Sequence, residues 1–320
     1  MKNSGCTQYF LAAAAIALTL LANTIRTAAQ QNVKPPVASR ESGYTPRGAD
    51  TCLKCHDDPQ VMTIFKTPHA DRSDPRTPFA GLQCEACHGP GGRHAGRVRF
   101  GERRHPIPRF GAHSPTSVVE QNAVCLGCHT SGARNIWPGS KHQREGIGCV
   151  SCHIIHAARD PVTLTRAQPA VCEKCHTRAR IEFNAAYSHP VRFGEMSCTD
   201  CHRPHGSFAP TLLVRDTVNQ TCDGCHADKR GPFLWEHPPV AEDCTLCHRP
   251  HGSNNPALLA QRPPLLCQQC HAPNDHPSLP QTALGLTQNM PSIFLLGGSC
   301  VNCHSQIHGS NSPSGADLTR

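Results

Sequence analysis

The stretch CTLCHRPHG, Cys244 to Gly252, sets two cysteines three positions apart, a histidine directly behind them and a second histidine three residues further on. CTDCHRPHG, Cys198 to Gly206, repeats it almost unchanged. Of 21 cysteines, all but Cys6 belong to ten such CxxCH motifs. The pairs are Cys52 and Cys55, Cys84 and Cys87, Cys125 and Cys128, Cys149 and Cys152, Cys172 and Cys175, Cys198 and Cys201, Cys222 and Cys225, Cys244 and Cys247, Cys267 and Cys270, and Cys300 and Cys303.

Cys6 precedes an apolar run from Phe10 to Ala22 and a small-residue stretch at Thr27, Ala28 and Ala29, so residues 1–29 read as a secretory signal. Export to an oxidising compartment makes disulfides one plain account of the cysteine pairs, and structural zinc a second. Neither requires a histidine after every pair. C-x-x-C-H is the attachment signature of c-type haem, in which two thiols add to the porphyrin vinyl groups and the histidine of the same turn reaches the iron. The expected cofactor is therefore ten covalently bound haem c groups, with proximal ligands His56, His88, His129, His153, His176, His202, His226, His248, His271 and His304.

His205 cannot share the iron of His202, because side chains three residues apart cannot approach one macrocycle from opposite faces. It must serve a neighbouring haem. The rest of the chain obeys the same logic as five repeats, each a CxxCH, a free histidine, a second CxxCH and a second free histidine. The free histidines are His69 and His94, His142 and His156, His189 and His205, His237 and His251, and His276 and His308. The first of each pair follows its proximal histidine by 13, 13, 13, 11 and 5 residues. Ten distal histidines thus balance ten proximal ones, and His105 and His113 fit no slot; their expected role is a solvated or propionate-bonding side chain. The segments are a linker over 30–51, a decahaem domain over 52–308 and a tail over 309–320.

Methionine is the other common axial ligand of c-type haem, and only Met62, Met196 and Met290 follow the signal. Ten bis-histidine irons are expected, closed on both faces, which transfer electrons and do not bind substrate. An enzyme is not expected.

Composition points the same way. The 320 residues hold 2 Trp, 3 Tyr and 10 Phe against 29 Pro and 25 Gly, too little for a large apolar core. The fold class is a multihaem cytochrome c: elongated, with little regular secondary structure, its short helices and turns wrapped around a chain of haems. Helices are expected near Ser117 to His129 and Ala170 to Ala186, with Pro/Gly turns between. The formal charge of +8 falls to +6 without Lys2 and Arg26, and ten ferric haems at −1 each bring it to −4, or −14 when reduced. Nucleic acid is therefore not an expected partner. The arginines from Arg93 to Arg109 would pair propionates, with a docking patch as the second reading.

The blocks CEACHGPGGRHAG (Cys84 to Gly96), GPFLWEHPPVAEDCTLCHRPHGSN (Gly231 to Asn254) and GGSCVNCHSQIHGSN (Gly297 to Asn311) resemble the decahaem cytochromes of porin-cytochrome conduits, the Mtr/DmsE type. That resemblance covers Cys52 to Gly315 and implies a bis-histidine wire inside an outer-membrane β-barrel porin. Its implied partners are periplasmic or inner-membrane cytochromes on one side and an extracellular multihaem cytochrome or reductase on the other. By the same resemblance the ten proximal and ten distal histidines carry over. The residues alone agree without demanding it: the chain after the signal has no apolar run near the 20 residues of a membrane helix, and a polar-lined barrel would shield it. Two alternatives stay open: a soluble periplasmic electron shuttle to a terminal reductase, and a multihaem nitrite- or hydroxylamine-type enzyme, which would need an open iron.

Overall fold

The computed structural model describes residues 43–271 and 300–319. The chain divides into two compact bodies, one containing Ala70–Ile107 and the chain up to Cys55, the other His56–His69 and Pro108–Arg320.

Among the described residues the helices are short, and the CxxCH turn is the reason. In nine motifs the histidine N–H bonds the carbonyl of the first cysteine at 2.9–3.0 Å, so thiols and imidazole leave one backbone turn. The longest described helix, Val118–Leu126, starts at Ser117 with a capping box completed by Glu120. It lies within the expected span and ends at the motif. The single helix expected from Ala170 to Ala186 does not form: it is two, Gln168–Cys172 and Thr177–Phe183. His176 between them sits at φ −86°, ψ 61°, outside helical geometry, as the motif turn swings its ring aside.

Among the described residues there is no extended strand, only isolated antiparallel bridges, and these recur in register. Tyr187, two residues before His189, pairs with Ser253, two after His251; Trp235, two before His237, pairs with Ser310, two after His308. Ser310 and its neighbours, expected as a tail, are thus bonded back: Asn311 Oδ1 accepts from Leu234 N at 2.9 Å, and Trp235 Nε1 donates to the Ser312 carbonyl at 2.9 Å. The glycine after the second free histidine is needed because another backbone passes against it. A Cβ at Gly206 (φ +134°) would lie 2.6 Å from the Ile136 carbonyl oxygen, and one at Gly252 would lie 2.0 Å from that of Glu182.

In the first body, residues 43–51, expected as the end of a linker, are folded. Glu85, inside the second motif, is buried and takes Thr45 N and Gly91 N at 3.0 and 2.7 Å on one oxygen and Thr45 Oγ1 at 2.7 Å on the other. Gln83 Oε1 accepts from Ala49 N at 2.7 Å. In the second body a side-chain amide clamps the two motifs of each of three repeats. Asn122 Oδ1 accepts from Cys149 N at 2.9 Å, Gln168 Oε1 from Thr199 N at 3.0 Å and Asn219 Oδ1 from Cys244 N at 2.8 Å. Buried apolar side chains are few and scattered, among them Ile64, Trp137, Phe183, Val191 and Leu213. No single apolar core forms around them.

Candidate haem sites

The first thiols of the two motifs of a repeat come together, in three repeats across an amide clamp. Cys52 is hydrogen-bonded with Cys84, Cys125 with Cys149, Cys172 with Cys198, Cys222 with Cys244 and Cys267 with Cys300. Each thiol stands for the thioether sulfur of a haem-bearing chain. The second thiols link one repeat to the next: Cys152 lies within electrostatic reach of Cys172 and Cys175, Cys201 of Cys225, and Cys247 of Cys270. From Cys125 to Cys303, attachment points are therefore neighbours in space in the order of the sequence.

Histidines meet across these turns in seven pairs, each one proximal and one distal. The ring centres are 6.0 Å apart for His129 and His69, 6.1 Å for His176 and His142, and 5.9 Å for His153 and His205. They are 6.3 Å for His226 and His189, and 6.1 Å for His202 and His251. His271 with His237 and His248 with His308 are each 6.0 Å apart. Two metal–imidazole bonds of about 2 Å and the half-widths of two rings also make about 6 Å. The spacing would suit two axial ligands on one iron.

A rule governs the pairs. The first free histidine of a repeat faces the first proximal histidine of the next repeat, and the second free histidine faces the second proximal histidine of the repeat before. His205 faces His153, not its neighbour His202. His56, His88 and His304 are the proximal histidines outside these pairs, and His94, His156 and His276 the distal ones; His276 lies outside the described residues.

Several rings are also held in one orientation by the backbone. Nδ1 donates to a backbone carbonyl in His142 (Pro204, 2.8 Å), His189 (Pro250, 2.6 Å), His202 (Thr211, 3.0 Å), His248 (Ala257, 2.8 Å) and His304 (Asp317, 2.6 Å). That bond leaves Nε2 as the free lone pair. Thr211 (φ 50°) and Ala257 (φ 54°) are held in left-handed backbone, a strained setting that aims each carbonyl at its imidazole. Burial pushes His69, His129, His202, His205, His237 and His308 below the ordinary imidazole range, keeping them in the neutral form that ligates metal.

Two orphaned donors fit the same cofactor. Arg134 Nε and Trp137 Nε1 are buried without a hydrogen-bond partner, Trp137 lies 6.2 Å ring to ring from His205, and the Arg134 charge reaches His129 and His205. Haem propionates would supply the missing acceptors. Among the described residues no three His, Cys, Asp or Glu gather around one point.

His105 acts through its main chain: its carbonyl accepts from His94 Nδ1 at 2.8 Å, while its own ring is bonded to the Pro106 carbonyl at 2.9 Å. The amide clamps were not expected from the sequence, although Asn122 and Asn219 each stand three residues before a first cysteine. Asp160 and Glu182, described below, had no sequence signal.

The chain matches the family described as "Doubled CXXCH motif" over residues 189–231 and 237–276, the NrfB-like cytochrome c-type family over 84–168, and the cytochrome c554 and c-prime family over 18–89. It is 49% identical over 284 residues to the multiheme cytochrome MtrA of Shewanella baltica, covering 88% of this chain and 84% of the relative. It is 30% identical over 144 residues to the cytochrome c-type protein NrfB of Haemophilus influenzae, covering 39% of this chain and 63% of the relative. It is 24% identical over 246 residues to the C-type polyheme cytochrome OmcB of Geobacter sulfurreducens, covering 67% of this chain and 30% of the relative.

Proposed function

Because the chain belongs to the family of multihaem c-type cytochromes that includes MtrA, we propose that it is a ten-haem electron conduit passing electrons through an outer-membrane β-barrel porin, between the periplasm and the outside of the cell. The observation that carries this reading is the set of seven facing histidine pairs strung on cysteine turns in sequence order.

Bound haem c supplies a one-electron Fe(III)/Fe(II) couple at each site. The chain's own residues do the rest. The seven facing imidazole pairs would hold haem iron from two sides, which favours electron transfer over substrate binding. Paired thiols fix each attachment point beside the next. Arg134 and Trp137 offer donors to propionates. No open catalytic iron belongs to this reading, so the protein is an electron carrier and not an enzyme.

Its partners would be periplasmic or inner-membrane cytochromes at one end and an extracellular multihaem cytochrome or reductase at the other. Among the described residues no helix is long and apolar enough to cross a membrane, so passage requires a sheath. A wide barrel with a polar lumen is such a sheath, because small barrels of about eight strands are filled by their own side chains.

The test is co-purification from detergent-solubilised outer membrane, followed by reconstitution in liposomes enclosing an electron acceptor. A stable complex with a large barrel, and transfer lost when the barrel is omitted, is expected. Recovery of all the cytochrome as a free monomer in the periplasmic fraction of cells expressing the barrel overturns the conduit and favours a shuttle.

A further inference from the structure

The described axial imidazoles are backed in two chemically different ways. Seven donate Nδ1 to a neutral backbone carbonyl. Two donate to a carboxylate: His153 to Asp160 Oδ2 at 2.6 Å, and His251 to Glu182 Oε2 at 3.0 Å.

The repeats provide an internal comparison. Asp160 stands seven residues after the second proximal histidine and directly before a proline, where the next repeats have Ala209 and Asn255. In those repeats the carbonyl two residues further on, Thr211 or Ala257, takes the imidazole proton instead. Asp160 thus replaces a neutral acceptor with an anionic one at an equivalent iron, and its other oxygen is fixed by Ile154 N at 3.2 Å. Glu182 lies on the Thr177–Phe183 helix and reaches His251, the distal partner of His202, beside the ring of Phe183 at 5.2 Å.

A carboxylate accepting an imidazole proton draws that proton toward itself and leaves the ring more electron-donating, and a more basic ligand favours ferric over ferrous iron. We propose that Asp160 and Glu182 are positioning residues that lower the potentials of two particular irons, those of His153 with His205 and of His202 with His251. These two low-potential stations flank the iron of His176 in sequence order, so electrons would rest preferentially between and beyond them.

Asp160 is the stronger of the two. Its bond is shorter, whereas Arg178 Nε draws on the other oxygen of Glu182 at 2.8 Å. The inference rests on bis-histidine haem at these positions, and the experiment separates the two readings.

The native holoprotein and the variants Asp160→Asn, Asp160→Glu, Glu182→Gln and the Asn/Gln double would be compared by optical redox titration, pyridine haemochrome assay and electron paramagnetic resonance. Asn and Gln keep a neutral acceptor and remove the charge. In Asp160→Asn, about one tenth of the haem absorbance change should move to higher potential by at least a tenfold change in that iron's ferric-to-ferrous ratio, 59 mV for one electron. Glu182→Gln should move a further tenth by less, the double should show both shifts, and Asp160→Glu should stay near the native curve. A titration superimposable on the native one, with ten low-spin haems, overturns the proposal and leaves the conduit reading standing. A lost haem or a high-spin signal in Asp160→Asn also overturns it, since the carboxylate would then hold the ring and not charge it. Fewer than ten low-spin haems in the native protein would instead strike the bis-histidine reading itself.

Discussion

His205 faces His153 with ring centres 5.9 Å apart and planes 10° from parallel, although 52 residues separate them in the chain. A His205→Met substitution is therefore expected to alter the iron attached through Cys149 and Cys152, leaving that of Cys198 and Cys201 bis-histidine. Methionine in place of histidine raises the potential. A redox titration should show one component moving upward, with a methionine–iron charge-transfer band in the ferric spectrum. A change confined to the Cys198 haem would mean that the facing pairs are not ligand pairs.

The holoprotein should carry ten haems, all low-spin, by haemochrome quantitation and paramagnetic resonance. His105→Ala should leave that count and those spectra unchanged, because His105 contributes its carbonyl and not its ring to His94. A ligand-loss spectrum in this variant would break the five-repeat assignment.

Asn219→Ala removes the acceptor of Cys244 N at 2.8 Å and the donor to the Val240 carbonyl at 2.8 Å. Leaving a part-buried backbone donor unpaired costs about 1–3 kcal/mol. Thermal melting of the holoprotein should move to lower temperature with all haems retained, because thioether attachment does not depend on the clamp. An unchanged melting curve would show that the covalent haems alone hold the two motifs together.

Gly252→Ala would place a methyl group 2.0 Å from the Glu182 carbonyl oxygen, a backbone atom with no cheap way to retreat. Moving the segment around Gly252 away takes His251 with it, so the iron of His202 should lose its second ligand. One high-spin ferric haem in ten is the expected signal. Wild-type spectra would indicate that the approach is looser than the geometry implies.

That the chain is a multihaem cytochrome c with CxxCH turns was legible in the sequence, because the motif is local: five consecutive residues form one turn and present two thiols and an imidazole together. The same locality excluded His205 from its own haem. The break of the expected helix at His176 was less legible, since helix propensity carries no record of where a haem-binding ring must point. Which proximal histidine each of seven free histidines faces was not legible at all. His205 could have turned forward or backward along the chain with equal reach, and the direction is decided by the amide clamps, the bridges at Ser253 and Ser310 and the bare glycines behind them, contacts between segments far apart in the chain. Asp160 and Glu182 belong to the same class. As letters they are ordinary surface acids, and only folding carries their oxygens to within hydrogen-bond distance of the imidazoles.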